Sequence, residues 1–501
     1  MPTRAADTVA PWTAAVGNSI GSDAATSSSA AQTAKSKPAK SKAAKSPAKP
    51  ALDTKTVGAA ALSADMAAES ASKENARALN APMPKGPLTL DNAVLLAVVR
   101  HPTITSQIAS VAQAQGGIDV AKAGYYPQIT VGSGRNTSTI SNGQGGTQSI
   151  GGYTVSLQIA QMLYDFGKVS SAVDQAQATV RREQANLLVQ LSSVEQKTAE
   201  TFINAHRYQE QVQIANEEVS AVQQIYEMAR LRAQSGVSTR SDPIQAQTRV
   251  QSAQATLIAV KSLNDEMLQH LRTLVGGEIA AGVTQPLADE RVDAIKLTGV
   301  MDSGLMPNVL VAQAQELIAR SQLDNAKSQM FPTLSLNYAD TKNLTGENPS
   351  TYVERGSNHS LTVGVQWTAY QGGALAGQVR AAQYAFEAAR LNVAAARLNG
   401  SDAARGYREQ ALGARNRLGK LGERKDSIAT TRDLYREQYK LGTRSILDLL
   451  NAEQEYYQAA LDEETAKHDY WIALVDYIGA LGTGNTFYGI ASRTIQGVKV
   501  Q

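Results

Sequence analysis

The sequence predicts a mainly α-helical chain with a transmembrane β part, built as one unit repeated twice. Three observations carry this. The second half repeats the first at an offset of 206 residues; four short stretches alternate polar and apolar residues; and two stretches of more than 60 residues run helical with hardly a breaker. In the repeat, Tyr164-Asp165-Phe166-Gly167 falls on Tyr370-Gln371-Gly372-Gly373, Arg230 on Arg436, Gly236 on Gly442 and Asp242 on Asp448. Tyr126-Pro127 falls on Phe331-Pro332 at an offset of 205. So long a period is far above the 20–50 residues of solenoid repeats, so the repeated unit is a whole subdomain.

Taken from the N-terminus, residues 1–87 are expected to be a disordered Ala/Lys/Pro-rich tail. Lys35 to Pro50 reads KSKPAKSKAAKSPAKP, which has no apolar periodicity with which to offset ordering entropy. The tail holds 11 Lys/Arg against 6 Asp/Glu, so although the chain carries +3 overall, the body after residue 87 is near −2. A basic tail suits an anionic surface or a spacer, or is simply a solvated linker. The body gives no reason to expect a nucleic-acid partner. The first 30 residues hold no continuous apolar run of the kind a secretory signal needs, so an exported chain is expected to have lost a leader or to start upstream. No stretch of 18 apolar residues is present, hence no transmembrane helix is expected.

The first repeat is expected over 88–280. A helix from about Leu90 to Lys122 follows from Val94, Ala97, Val98, Ile104, Ile108 and Val111 at helical spacing. A Gly-Tyr-Tyr-Pro break ends it. Gln128 to Ser133 then alternates, and beyond a Gly/Ser/Asn-rich loop Tyr153, Val155, Leu157 and Ile159 alternate with Thr154, Ser156, Gln158 and Ala160, giving a hairpin. Lys168 to about Ala233 contains no proline or glycine; at ~1.5 Å per residue it spans about 100 Å. Within it Val212, Ala215, Val219, Val222, Tyr226 and Ala229 step by 3 and 4, a heptad seam. A Gly turn leads to a shorter helix from about Pro243 to Leu274.

A linker over 281–305 precedes the second repeat, expected over 306–481, and 482–501 forms a C-terminal segment. The second repeat offers a helix from about Pro307 to Gln329 and two strands, with Leu334, Leu336 and Tyr338 on one and Leu361, Val363, Val365 and Trp367 on the other. A long helix from about Val379 to Lys440 and a shorter one from about Ser445 to Leu481 complete it. Its seam reads Leu418, Leu421, Lys425, Ile428, Arg432 and Tyr435, so two seam positions are cationic: either charged defects in a coiled coil or a wall with one wet face.

Each strand is expected to be about 10 residues, the length that crosses a bilayer when tilted. Four strands cannot close on themselves, and open edges are forbidden in lipid, where each unpaired backbone group costs several kcal/mol. Other copies of the chain must supply closure: two would give eight strands, three would give twelve. The competing reading packs the hairpins onto the chain's own helices.

At the helix turns the sequence becomes specific. Gln234 to Pro243 reads QSGVSTRSDP, and Tyr439-x-x-Gly442-Thr443-Arg444 precedes Asp448-x-Leu450-x-Ala452. Together with Tyr-Asp-Phe-Gly, the strand-preceding Tyr-Pro and Phe-Pro pairs and the duplication, this resembles the TolC family of outer-membrane channel-tunnels over about Leu88 to Leu481. The resemblance implies a homotrimer in the outer membrane of a Gram-negative bacterium, with a 12-stranded β-barrel in lipid above an α-helical barrel crossing the periplasm. It implies a periplasmic adaptor and an inner-membrane ABC or proton-driven transporter as partners. It also implies an entrance latch in which Asp242 pairs with Tyr439 and Arg444, and a constriction ring at Asp448, with an amide, Asn451, at the second ring position. Such a duct would serve type I protein secretion, with small-molecule efflux as the alternative and a soluble coiled-coil scaffold as a more distant one.

Catalysis is not expected, nor is any cofactor or metal. The chain has no cysteine, which removes disulfides, thiolate sites and cysteine nucleophiles. The five histidines (His101, His206, His270, His359, His468) show no metal-ligand spacing and are read as solvated or seam residues. Gly143-Gln144-Gly145-Gly146 sits in a polar loop and leads into no lysine, so it is no phosphate cradle.

Overall fold

The structure, a computed structural model, describes residues 86–142, 146–279, 282–295, 297, 306–346, 356–490, 494–495 and 498–499. All of these belong to one compact unit, Ala64–Gln501. The tail read as disordered, but for residues 86 and 87, ten of the 25 residues of the linker over 281–305 and the tips of both hairpin loops lie outside the described residues.

Helices α1 (Leu90–Arg100) and α2 (Pro102–Lys122) replace the single helix expected there. The reason is His101-Pro102: a residue before proline is pushed out of the α region, and His101 is extended at φ −68°, ψ 126°. Its Nδ1 accepts from Thr103 N at 3.3 Å, capping α2, whose first residue is the proline. Helix α6 (Pro307–Ser328) opens the second repeat in the same way, with proline at its first position.

Four strands form one antiparallel sheet in chain order: β1 (Gln128–Asn142), β2 (Gly146–Tyr164), β3 (Thr333–Gly346) and β4 (Ser357–Gln366). Three of the four exceed the expected length, running 15, 19, 14 and 10 residues. Register aligns Ile129, Ile159, Tyr338 and Leu361 in one row across the sheet, with Val363 opposite Leu336 and Val365 opposite Leu334 on the same face. The other face carries Gln128, Ala160, Asn337 and Thr362. No described helix covers the apolar face: Ile129 is 64% exposed and Leu361 69% exposed. Among the described residues, edge strands β1 and β4 have no further partner.

Where strands meet helices, aromatic side chains crowd together. Phe166 stacks on Phe331 with centroids 5.3 Å apart, Tyr164 meets Phe166 edge-on at 4.7 Å, and Trp367 Nε1 donates to Met330 O at 3.0 Å. Phe166 is the one described non-glycine residue with positive φ, at 55°, which lets the chain turn sharply into the long helix α3 (Lys168–Gln234). The Asp165 carboxylate accepts from Gly167 N at 3.0 Å and Val169 N at 2.6 Å, satisfying amides that the helix start would leave orphaned. In the second repeat Gln371 stands there, and helix α7 (Ala374–Leu441) starts without a side-chain cap.

At 67 and 68 residues, α3 and α7 exceed any single neighbour. Pairs of shorter helices match their length. Against α3 lie α2 and α4 (Ser241–Val275), and the guanidinium of Arg100, the last residue of α1, donates to the carbonyls of Val275 (3.3 Å) and Gly276 (3.0 Å) at the end of α4. Against α7 lie α6 and α8 (Ile446–Leu481), meeting where Met306 packs with Ala480 and Leu481. The cationic seam positions of α7 are answered from α8: Lys425 pairs with Glu463, and Arg432 lies 3.8 Å from Glu453. Helix α3 also packs on α8, so the two repeats join along their lengths. Short helices α5 (Asp289–Ala294) and α9 (Gly484–Phe487) and a two-residue hairpin, β5 (Thr494–Ile495) with β6 (Val498–Lys499), complete the described elements. No described helix is long and apolar enough to cross a membrane.

Candidate functional site

The two helix-hairpin turns come together at one end of the molecule. Both close on a glycine in the left-handed region, where other residues are strained: Gly236 at φ 76° and Gly442 at φ 81°. The amides of Val237 and Ser238 return to Arg232 O, and that of Thr443 to Gln438 O, so each turn satisfies carbonyls that the ending helix leaves free. Ser445 caps α8, accepting from Asp448 N at 3.2 Å.

Beneath the turns Val222, Ile225, Ala229, Ala246, Val250, Ile446, Leu449 and Leu450 form an apolar cluster, and Tyr439 is buried in it. The Tyr439 hydroxyl has no hydrogen-bond partner among the described residues. Burial raises its pKa; the nearby Arg232 works against this and the Asp242 charge adds to it. Asp242 itself accepts from the Thr239 hydroxyl at 2.6 Å. Arg444 donates to the Gln438 side chain at 3.2 Å, lies 3.7 Å from Asp448 and sits over the Tyr435 ring at 4.0 Å. Asn451 faces Arg249, whose guanidinium also donates to Gln454 at 2.7 Å. The structure therefore gathers all five sequence-predicted residues at the tip. Within one chain no described hydrogen bond joins Asp242 to Tyr439 or Arg444.

Arg232, which the sequence reading passed over, supplies the direct tie between the turns. Its guanidinium donates to the Tyr439 carbonyl and lies over the Tyr439 ring, 4.9 Å from the centroid. In sequence it looks like any cation in the last turn of a helix; only the duplication, which sets it opposite Gln438, marks its position. Farther up the helices Glu453, 3% exposed, holds Arg436 at 3.1 Å in a cavity of about 290 Å³ that Glu218 and Tyr457 also line. Burial there pushes Glu218 up to about 7 and Tyr457 up to about 12.

Two of the five histidines are neither solvated nor alone. His206 and His468, from α3 and α8, are buried with His206 Nδ1 and His468 Nε2 2.9 Å apart. Desolvation pushes them down to about 4 and about 3, so both rings are neutral at ordinary pH.

Residues 94–277 and 305–483 match the family described as "Outer membrane efflux protein". Among curated relatives, the alkaline protease secretion protein AprF of Pseudomonas aeruginosa is 25% identical, covering 66% of this chain and 70% of its own. The outer membrane protein TolC of Escherichia coli is 22% identical over 74% of this chain and 77% of its own. Among solved structures, the transmembrane channel protein CusC superposes with a TM-score of 0.71 at 15% identity, covering 80% of this chain and 95% of that one. The CmeC outer membrane channel of Campylobacter jejuni gives 0.68 at 16%, covering 79% and 86%. With the two matched segments tracking the two repeats, the chain belongs to the outer membrane efflux protein family and resides in the Gram-negative outer membrane.

Proposed function

We propose that the chain is the passive exit duct of a tripartite export system, working as a homotrimer. One observation carries this: a four-stranded sheet whose apolar face is uncovered and whose two edge strands are unpaired. In lipid such edges must be closed, and three copies supply twelve strands, within the range of bacterial barrels. The aromatic residues at the strand–helix junction, among them Tyr126, Phe331 and Trp367, all at least half exposed, suit the headgroup level of a bilayer. A soluble scaffold is set aside by the family's outer-membrane location.

Type I protein secretion is the transport we infer, driven by an inner-membrane ABC transporter through a periplasmic adaptor. The relative named for alkaline protease secretion, AprF, supports it. Efflux, the alternative, is favoured instead by the relative named outer membrane efflux protein BepC, of Brucella suis, at 23% identity over 79% of this chain. Deleting the gene separates them. Secretion predicts that a protein disappears from the medium while small-drug susceptibility holds; heightened drug susceptibility with an unchanged secretome contradicts it. No residue is assigned to catalysis.

At the tip, Asp242, Tyr439 and Arg444 are the proposed latch and Asp448 with Asn451 the constriction. Since Arg232 ties the turns within a chain, Asp242 and Arg444 are assigned to pairing between neighbouring copies. A charge-assisted bond there is strong enough to hold yet can be displaced by a competing partner.

A further inference from the structure

We infer that His206, His468 and Glu464 form a binding site for one divalent transition-metal ion of the zinc class, placed between the two repeats of each chain. Their ligand atoms all lie within 4.8 Å of one another, on two antiparallel helices, with both histidines buried and Trp471 packed beside them. His206 and Glu210 stand four apart on α3, and Glu464 and His468 stand four apart on α8. At that spacing each pair shares one helix face. Two imidazoles and a carboxylate are the donor set that zinc, copper and nickel take, and not one that suits calcium or magnesium.

The outer hydrogen bonds are already in place. His468 Nδ1 donates to the Glu464 carbonyl at 2.7 Å, which leaves Nε2 as its lone pair. His206 Nδ1 therefore carries the proton shared across the 2.9 Å contact, and its Nε2 faces Glu210 at 3.7 Å. An ion entering between the rings displaces that hydrogen bond. The His206 proton moves from Nδ1 to Nε2, where Glu210 accepts it, and both imidazoles stay neutral. Each ligating ring would then donate its far N–H to a carbonyl or a carboxylate, the usual arrangement behind metal-bound histidine. Two nitrogens on a tetrahedral ion sit roughly 3.3 Å apart at metal–nitrogen distances of about 2.0–2.1 Å, so the two nitrogens, 2.9 Å apart with ring centroids at 5.2 Å, must part by a few tenths of an ångström and both rings must tilt until their lone pairs converge on the ion. Glu464 would exchange its present contacts with Lys467 (3.6 Å) and the His468 ring for the ion. Arg207 is no competitor, being held by Asp469 at 3.2 Å. An ion here would pin α3 to α8, the first hairpin to the second, some 40 Å from the turns at ~1.5 Å per residue.

The test uses the full-length protein purified in detergent, stripped with chelator and dialysed against buffered Zn²⁺, with retained metal measured and Co²⁺ read by its visible spectrum. About one ion per chain, a tetrahedral Co²⁺ spectrum and a thermal midpoint raised by Zn²⁺ are expected. His468→Gln should abolish retention and Glu464→Gln, nearly isosteric, should weaken it at least tenfold. His270→Gln, at an exposed histidine 3.6 Å from Glu266, should change nothing. If His468→Gln fails to assemble, Glu464→Gln decides. Absence of retained metal in the wild type, or undiminished retention in Glu464→Gln, overturns the site.

Discussion

Arg232 holds the two turns together through the carbonyls of Tyr439 and Lys440 and one ring face, so its loss should act on opening rather than on folding. A charged-donor hydrogen bond contributes about 1.5–3 kcal/mol, which is on the order of a tenfold to hundredfold change in the closed-to-open ratio. Arg232→Ala is therefore expected to raise single-channel conductance in planar bilayers while leaving assembly intact. Asp242→Ala with Arg444→Ser should do the same and should sensitise cells to large antibiotics. Unchanged conductance in a correctly assembled double variant would remove the latch assignment. Asp448, half-buried near the tip and 3.7 Å from Arg444, is expected to set ion preference: Asp448→Asn should lower cation selectivity in reversal-potential measurements, since a carboxylate ring favours cations.

Among the elements, α3 and α8 bury titratable groups whose signs oppose one another. Glu195, 2% exposed, is pushed up to about 7 because it is desolvated beside α9. Its folded pKa lies above its unfolded one, so its contribution is fully present at low pH and is lost as pH rises through about 7. His206 and His468 are shifted down, so they cost stability as pH falls below their ordinary value of 6.5. Comparing wild type with Glu195→Gln isolates the carboxyl. Between pH 8 and pH 5 the wild type should gain on the variant by on the order of 2–3 kcal/mol, read from paired thermal midpoints; parallel pH profiles would refute the shift.

The same elements show what a sequence can reveal. The lower halves of the strands were legible because Ile129, Val131, Leu361 and Val363 must alternate to present an apolar face. Their upper halves, such as Gly134 to Asn142, are Gly, Ser, Thr and Asn apart from Arg135 and Ile140, with little alternation, so a period-2 reading stops too early. The helix break at His101-Pro102 was marked by its proline but masked by continuous apolar spacing on both sides. Lys425 and Arg432 looked like defects because their partners, Glu463 and Glu453, lie on another helix. The His206–His468 contact was hidden more deeply. Nothing local signals a pair 262 residues apart, although His-x-x-x-Glu on one helix and Glu-x-x-x-His on its neighbour was a clue.

On the scale of the whole molecule, the two repeats give one chain everything a duct needs except closure. The turns, the helix walls and the sheet are complete within the chain, whereas β1 and β4 stop at open edges beneath an uncovered apolar face. Mass determination of the detergent-purified protein, before and after boiling, tests this most directly. The account predicts a trimer of 53.1 kDa chains that survives detergent at room temperature and collapses to monomer on heating. A folded monomer that stays in solution after detergent is removed would contradict it.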